Sequence, residues 1–499
     1  MVQRLSALEV SMLALDTAHH PGQVGTVDLF HARTGADTGF DYERLISLIR
    51  QRIAFVPRYR MRVRGVPGGL AAPVWVEDEN FDLTYHVRPS ALPRPGTMRQ
   101  LHEFVGRVMA RRLDRSRPLW EAYLVQGVEG DRFALVTKSH QSLVDGIDTV
   151  DLGQVLLDTD PDTEPGTADP WEPLPEPTGL DLLTGALIEG VQEPGQALDR
   201  ARNGLTSMLG LAITVGETVG GLGVALSDIA GNALRGGRPP AGSPLAGVIS
   251  QQRRFATLSL SLADLKAVRV TPDQTVNDVV LAVITGGLRD WLQTRGEEIS
   301  GRSLIALAPM SVSDDDGEPT ALGSRVAPHL VTLPISEPNP LMRLHQLSYG
   351  NRAHMASGRA VAARAISDIA GFAPTTLHAL GVRVAQETLR KQHDLVITNV
   401  PGPQVTLYAA GAAMVASYPV LPLGTGHLVA IGVTSYNGQV FFGLTGDRDA
   451  VSDLDVLAQC THDSLEELTL AVSRPAAARR HPKSPRASSP GPGDRVVDS

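Results

Sequence analysis

The chain has 499 residues, a formal net charge of -9, 42% hydrophobic residues and 20% charged residues. This profile excludes a disordered or fibrous protein, and the length predicts two or three domains. No basic patch large enough to grip nucleic acid is visible, so we expect no nucleic-acid partner. Because Cys460 is the single cysteine, an intramolecular disulfide is excluded and a cysteine-based metal site is not expected.

The first part of the chain alternates helix and strand signals. In chain order these are a helix-like entry at 4–16, a strand at 25–30, a helix at 42–52, a helix at 100–112 and a β-rich run at 133–137. A polar turn follows the last run directly, and a helical pattern resumes over 147–157. The alternation predicts an α/β domain with mixed sheets over residues 1–160.

Composition changes abruptly after Leu157. Pro, Asp, Glu and Thr dominate residues 158–179, which indicates an exposed linker. Farther along, the block 205–230 is apolar but is interrupted by Glu217 and Asp228. A membrane-spanning helix needs about 20 mostly apolar residues without such charges. We therefore favour a packed or interfacial helix over a membrane span.

These shifts divide the chain. We expect an acidic linker and helical connector over 161–242, a second mixed α/β domain over 243–472 and a disordered tail over 473–499. The first residues lack a charged segment followed by an unbroken apolar stretch, so no signal peptide is predicted. The expected location is the cytoplasm, with a peripheral position on a membrane or on lipid droplets as a further expectation.

The strongest chemical signal is the string His140-Gln141-Ser142-Leu143-Val144-Asp145-Gly146. It follows the β-rich run and precedes a helical pattern, and a strand-to-helix corner often presents side chains into a cleft. The alternative is a plain connection in which Asp145 and Gly146 supply only turn chemistry. Spacing alone does not decide between the two interpretations.

Further strings give the chain a recognisable resemblance. They are Leu5-Ser6-Ala7-Leu8-Glu9, Arg117-Pro118-Leu119-Trp120-Glu121, Thr275-Val276-Asn277-Asp278-Val279, Thr398-Asn399-Val400-Pro401-Gly402-Pro403, Ser435-Tyr436-Asn437-Gly438 and Asp447-Arg448-Asp449. Each is weak alone, but their order and spacing are specific. Over nearly its whole length except the tail, the chain resembles the bacterial wax ester synthase/diacylglycerol O-acyltransferase family.

The resemblance implies two domains that are similar to chloramphenicol acetyltransferase, with the active site in a channel between them. Fatty acyl-CoA would enter as donor substrate and diacylglycerol or a long-chain alcohol as acceptor, with no further cofactor and no metal. In the family signature His-His-x-x-x-Asp-Gly, the second histidine is the general base. A base with a pKa near neutrality suits the removal of the acceptor's proton. The aspartate, here Asp145, holds the loop in shape.

This sequence departs from the signature at the second histidine. Aligned on Asp145 and Gly146, the first histidine is His140 and the base position holds Gln141. An amide has no usable pKa, so Gln141 can only orient a partner by hydrogen bonding. If the strand extends this far, His140 points to the opposite face. Smaller departures are Ser313, where the family commonly has Arg, and Gly323-Ser324, where Gly-Asn is usual.

The remaining candidates have structural alternatives. The spacing of Thr275 and Asp278 is that of a capping box, which favours a structural role for Asp278. For Asn277, a position facing the cleft and a purely structural role are equally well supported. Pro118, Leu119 and Trp120 are candidate channel residues, with Trp120 favoured as a buried anchor. Asn399 is a further channel candidate, and the Pro-Gly-Pro string after it is most simply a rigid turn. The acidic run 314–317 lacks the ligand spacing of a calcium site.

Three functions follow. The first is an O-acyltransferase that makes triacylglycerol or wax ester from acyl-CoA, in which His140 or a water oriented by Gln141 assists proton removal. The second is a catalytically impaired homologue that binds acyl-CoA or lipid, because the base position holds Gln141. The third is acyl transfer to a different acceptor on the same fold, such as a glycolipid or polyketide.

Overall fold

The computed structural model describes residues 3–31, 42–67, 71–143, 152–163, 171–184, 240, 242–308, 310–312, 325–327, 329–354 and 393–473. Several sequence predictions lie outside the described residues: Val144, Asp145 and Gly146 of the motif, the block 205–230, Ser313, the acidic run 314–317, Gly323-Ser324 and the tail 474–499.

The strands are numbered in chain order. They are β1 (Gln3–Arg4), β2 (Gln23–His31), β3 (Met61–Arg64), β4 (Val74–Glu77), β5 (Val87–Ala91), β6 (Trp120–Val128), β7 (Arg132–His140), β8 (Arg253–Ser261), β9 (Leu304–Leu307), β10 (Met310–Val312), β11 (Arg325–Ala327), β12 (Leu330–Leu333), β13 (Leu395–Val400), β14 (Tyr408–Ala409), β15 (Ala412–Val420), β16 (Val429–Tyr436) and β17 (Gln439–Asp447). The strand predicted at 25–30 lies within β2, and the run at 133–137 lies within β7.

The helices are numbered in the same way. They are α1 (Ala7–Leu15), α2 (Tyr42–Arg52), α3 (Leu83–His86), α4 (Met98–Ala110), α5 (Leu152–Leu156), α6 (Leu262–Ala267), α7 (Val276–Thr294), α8 (Pro340–His354) and α9 (Leu454–Ser473), with short 3-10 turns at Ile53–Phe55 and Pro57–Arg60. The helix predicted at 42–52 is α2. Helix α4 begins two residues before its predicted start because a capping box of Thr97 and Gln100 satisfies its first amides.

Two six-stranded sheets organise the chain. The sheet of the first lobe has the order β14-β15-β2-β7-β6-β5, and the sheet of the second lobe has the order β12-β9-β13-β16-β17-β8. Strand β7 lies in the middle of the first sheet, antiparallel to both β2 and β6. The end of β7, where the motif begins, is therefore held on both sides by neighbouring strands. The expectation of a two-domain mixed α/β fold is confirmed.

One hairpin from the second half of the chain lies in the sheet of the first lobe. Strands β14 and β15 lie within the region 243–472, yet β15 pairs antiparallel with β2 of the first sheet, with Ser417 opposite Asp28. The chain leaves the second sheet after β13 and returns to it at β16. Residues 408–420 thus belong to the first lobe. Backbone hydrogen bonds along the edge of β2, together with the burial of most of β15, account for this exchange.

The two apolar cores interlock at the boundary between the lobes. Val24 of β2 packs in the core of the second lobe, whereas Phe255, Tyr436 and Phe441 of the second sheet pack in the core of the first. Helix α4 also lies against β8, and the backbone at Gly106 approaches so closely that an added Cβ would be 2.6 Å from the Arg253 carbonyl oxygen. Interior packing of this density fixes one lobe against the other.

Among the helices that the structure describes, none combines the length and the apolar composition that a membrane span requires.

Candidate active site

The motif begins where β7 ends. His140 is the last residue of β7 and lies opposite Gln23 of β2. Its backbone N–H donates to the Leu119 carbonyl at 2.9 Å, and the Gln141 N–H donates to the Gly22 carbonyl at 3.0 Å. The ladder of hydrogen bonds therefore continues one residue past the strand. The strand-then-turn arrangement predicted for this motif is confirmed for its described residues.

The ring of His140 is buried and its acceptor atom is occupied. Nδ1 accepts the Ser142 backbone N–H at 3.1 Å and lies 2.8 Å from the Ser142 Oγ. Because Nδ1 is an acceptor, the neutral ring carries its proton on Nε2, which lies 3.9 Å from Asp16 Oδ2. Burial lowers the pKa of His140 to about 4, and the nearby Arg115 and Arg112 act in the same direction against Asp16. His140 is thus neutral near pH 7 and has no lone pair free to take a proton.

Asp16 holds this corner together from the N-terminal segment. Its Oδ2 accepts from Arg112 Nη2 at 3.1 Å and from Arg115 Nη2 at 2.9 Å, and its Oδ1 accepts from the Gly22 N–H at 3.1 Å. Burial acts to raise the pKa of the Asp16 carboxyl, but His140 and the two arginines outweigh it and leave the pKa below its usual value. The carboxylate is therefore ionised at neutral pH and serves as an anchor for charged partners.

Among the described residues, Gln141 has no hydrogen bond at either side-chain amide atom, whereas His140 has one at Nδ1 and none at Nε2. Ser139 lies opposite Val24 of β2, so their side chains share one face of the sheet, and Val24 packs in the second lobe's core. His140 is the next residue of the strand, so its side chain lies on the other face. Gln141 follows in the turn after β7. Its side chain is buried, and within the described part of the chain neither amide atom has a hydrogen-bond partner, nor has the Ser139 hydroxyl. Buried amides are seldom left unpaired, so this one is available to a substrate or water.

The Pro-Leu-Trp string supports the motif from the adjacent strand. Pro118, Leu119 and Trp120 are all buried. The Leu119 carbonyl holds the backbone of His140, while Trp120 Nε1 donates to the Tyr59 carbonyl at 2.7 Å. The favoured interpretation of Trp120 as a buried anchor agrees with this environment. Leu119 contributes to the site through its backbone, since its side chain packs in the first lobe's core.

The other candidates form a second cluster in the second lobe. Asn399 Nδ2 of β13 donates to Asn277 Oδ1 of α7 at 2.9 Å. Asp278 closes a capping box with Thr275, and its Oδ1 accepts from Asn351 Nδ2 at 2.7 Å. Asp278 therefore has the structural role that its spacing predicted. Asn277 and Asn399 are half-buried and hold each other in place.

The structure thus gathers the predicted residues in two groups. His140 and Gln141 are tied by backbone hydrogen bonds to the Pro-Leu-Trp string, and Asn277 is tied to Asn399. Among the described residues no hydrogen bond joins the two groups. The described residues also contain no set of three His, Cys, Asp or Glu side chains placed to hold a metal ion.

Sequence reasoning missed Asp16, Gly22 and the two arginines that surround His140. Asp16 follows α1, and Arg112 and Arg115 follow α4, so nothing local in the sequence links them to the motif. Gly22 offered a weak signal as a glycine beside a predicted strand. An added Cβ there would lie 3.1 Å from His140 Nε2, and the close approach explains the glycine.

Comparisons with known proteins agree on one family. Residues 5–280 match the model of the wax ester synthase/diacylglycerol acyltransferase catalytic domain, and residues 322–469 match that of the WS/DGAT C-terminal domain. The chain is 42% identical over 276 residues to "Probable diacyglycerol O-acyltransferase tgs3" of Mycobacterium tuberculosis, which covers 55% of this chain and 97% of that protein. It is 32% identical over 440 residues to "Probable diacyglycerol O-acyltransferase tgs1" of the same organism, covering 88% and 90%.

A solved structure extends the similarity to the fold. The wax ester synthase/diacylglycerol acyltransferase from Marinobacter aquaeolei VT8 superposes with a TM-score of 0.65 at 28% identity, covering 94% of this chain and 99% of that one. Both the catalytic and the C-terminal models are matched, and the similarity runs through both lobes. The chain therefore belongs to the wax ester synthase/diacylglycerol acyltransferase family.

Proposed function

We propose that this chain is an O-acyltransferase that transfers a fatty acyl group from acyl-CoA to the hydroxyl of diacylglycerol or of a long-chain alcohol. The observation that carries the proposal is the family match through both lobes, with relatives named as diacylglycerol O-acyltransferases. Triacylglycerol or wax ester is the product, and coenzyme A is released.

The buried amide of Gln141 supports a mechanism without a histidine base. Gln141 Oε1 can accept a hydrogen bond from the acceptor hydroxyl and orient its oxygen toward the thioester carbon. The new C–O bond forms as the carbonyl becomes an oxyanion, and the C–S bond then breaks. The departing thiolate takes the proton of the hydroxyl directly or through a water, so that the free thiol of coenzyme A leaves. The residue in the base position thus positions the acceptor, and the leaving group removes its proton.

The test is turnover of labelled acyl-CoA with diacylglycerol and, separately, with a long-chain alcohol. We expect slow turnover by the wild type and an increase in kcat of about 10² to 10⁴ on Gln141→His, the usual range for general acid–base catalysis. Gln126→His is the matched control, because Gln126 is exposed on β6. If wild type and Gln141→His are both inactive with every acceptor, the proposal fails.

A second candidate is an acyl-CoA-binding or lipid-binding homologue without turnover. The absence of a titratable group at position 141, together with the occupied Nδ1 of His140, favours it. This candidate predicts that the wild type binds acyl-CoA tightly and releases no product, and that Gln141→His creates activity. The same assay with glycolipid or polyketide acceptors tests transfer to another hydroxyl.

We propose further that the protein works peripherally at a lipid surface on the cytoplasmic side. Both substrates are poorly soluble, and large apolar side chains such as Phe55 and Leu180 are exposed in the first lobe and the linker. Flotation with vesicles that contain diacylglycerol tests this association. If the protein stays at the same position in the density gradient with and without vesicles, the proposal is contradicted.

A further inference from the structure

A groove of about 610 Å³ lies between the lobes, on the side of α4 that faces β8 and the turn before α9. Arginines dominate its lining: Arg99, Arg107, Arg253, Arg254 and Arg448. The opposing carboxylates are Glu103 and Asp455. A concentration of positive charge in a concave site is unusual for a chain with a net charge of -9, and concave charged surfaces focus their potential on an incoming anion.

Several of these arginines have no full partner. Arg99 pairs with Glu103 at 3.4 Å in an exposed contact, and Arg254 approaches Asp455 only to 4.0 Å. In the described part of the chain, Arg107 and Arg448 make no ion pair and no side-chain hydrogen bond. The Nε of Arg254 is buried and likewise lacks a hydrogen-bond partner. Arg107 and Arg448, together with the loosely paired Arg254, therefore leave guanidinium donors available to an anion in this groove.

The walls of the groove are rigid. His102 Nε2 of α4 lies 2.9 Å from Thr257 Oγ1 of β8, and the ring of His102 packs edge-on against Phe255 at 5.8 Å. Arg253 is buried, and its guanidinium donates to the His19 carbonyl and to the Ser250 carbonyl. Phe255, which also lines the groove, is buried, so the lining on this side is held in place by the core.

The groove leads along α4 toward the motif. Arg107 lies in the last turn of α4, and Gln23 Nε2 donates to the carbonyls of Met109 and Arg111 just beyond it. Gln23 is the residue opposite His140. Since a helix rises about 1.5 Å per residue, Arg107 is only about 6 Å along the axis from position 111. An extended arm anchored in the groove would therefore run toward the end of β7.

We propose that this groove binds the phosphate groups of the coenzyme A part of the acyl donor, with Arg107, Arg254 and Arg448 as contacts. The proposal rests on the function proposed above. Arginine offers a planar set of donors that matches phosphate oxygens in pairs. A phospholipid headgroup presents the same chemistry, but a recessed groove between two rigid walls does not fit the flat surface of a bilayer.

Binding measurements with the full chain test the site. The probes are free coenzyme A, adenosine 3′,5′-bisphosphate, pantetheine and vesicles of phosphatidylglycerol. Arg107→Glu and Arg448→Glu are the variants, and Arg50→Glu is the control, because Arg50 is exposed on α2 away from the groove. Each groove variant should weaken binding of coenzyme A and of adenosine 3′,5′-bisphosphate at least about tenfold, since hydrogen bonds to charged groups are typically worth that much. Pantetheine binding and the control should be unchanged.

The outcomes separate the site from the proposed function. Weakened binding of both phosphate-bearing probes supports the site even if the wild type shows no turnover. If both variants bind coenzyme A as tightly as the wild type, the site is overturned. If these variants also turn over acyl-CoA with an unaltered KM, the proposed acyl transfer still stands. Charge-dependent binding to the vesicles without binding of adenosine 3′,5′-bisphosphate would also overturn it, in favour of a lipid headgroup.

Discussion

Nδ1 of His140 accepts the backbone N–H of Ser142 at 3.1 Å, so the first residue of the motif folds its own ring back onto the turn that follows. The contact uses the lone pair that a general base would need, and the ring's other nitrogen faces Asp16 and Gly22. His140 is therefore a positioning residue for the turn. The neighbouring Gln141 amide is buried and has no hydrogen-bond partner in the described part of the chain.

Stability should depend on the pH in a way that reports His140. The pKa of His140 falls from its usual 6.5 to about 4 on folding, so between these values the unfolded chain binds more protons than the folded one. Stability is then present in full above pH 6.5 and declines as the pH falls toward 4, by on the order of 3 kcal/mol from this ring. His140→Asn keeps an acceptor for the Ser142 N–H but does not titrate. Urea unfolding from pH 7 to 4.5 should show a shallower decline for the variant.

The buried rings of His86, His102 and His427 also have pKa values lowered to about 4, chiefly by burial, and remain in both proteins. The wild type and His140→Asn therefore share that part of the decline, and the difference isolates His140. Parallel curves for the two proteins would show that His140 does not titrate as its burial implies.

Gly22 should not tolerate a side chain. An added Cβ would lie 3.1 Å from His140 Nε2, so in Gly22→Ala the His140 ring has to shift by a few tenths of an ångström. We expect a loss of about 1–3 kcal/mol in the free energy of unfolding, typical of overpacking, together with lower turnover. Gly65→Ala is the control, since no atom lies within 4 Å of its added Cβ. Equal stability of the two variants would argue against the close packing at His140.

Trp120→Phe should weaken the start of β6, which follows directly after Leu119. The substitution removes the Nε1–H bond to the Tyr59 carbonyl and leaves that carbonyl buried without this donor. The expected loss is about 1–3 kcal/mol in the free energy of unfolding. In the control Trp171→Phe, the Arg60 guanidinium keeps an aromatic ring beneath it, so the expected loss is below the roughly 0.5–1 kcal/mol of the whole cation–π contact. Chemical denaturation of both variants checks the order.

Asn277 and Asn399 should behave as one unit. Their side chains share a 2.9 Å hydrogen bond between α7 and β13, so a double-mutant cycle with Asn277→Ala and Asn399→Ala should give a coupling energy of about 0.5–1.5 kcal/mol. If the pair also lines the acyl-transfer site, each single variant lowers turnover by a similar factor and the double variant adds little. Additive effects on stability would mean that the hydrogen bond does not form in solution.

Local sequence signals were enough for much of the fold. The apolar period of α2, the Thr275–Asp278 capping box and the β-rich run before the motif all appear where the sequence predicted them. The order of the short strings also indicated the family, because each string keeps its distance from the next along the chain. These features depend on neighbours within a few residues, which the sequence states directly.

The remaining relationships depend on residues that meet only when the chain has folded. The exchange of β15 into the first sheet, the contact of Asp16 with His140 and the pairing of Asn277 with Asn399 all join segments that are distant in sequence. Periodicity reports which face of an element is buried but not what covers it. The sequence by itself therefore determined that a family motif with Gln141 in the base position lies at a strand end. Only the tertiary structure decided that Nδ1 of His140 accepts a hydrogen bond from Ser142 and that, within the described residues, the Gln141 amide is buried without a partner. It also decided that arginines from both lobes meet in one groove.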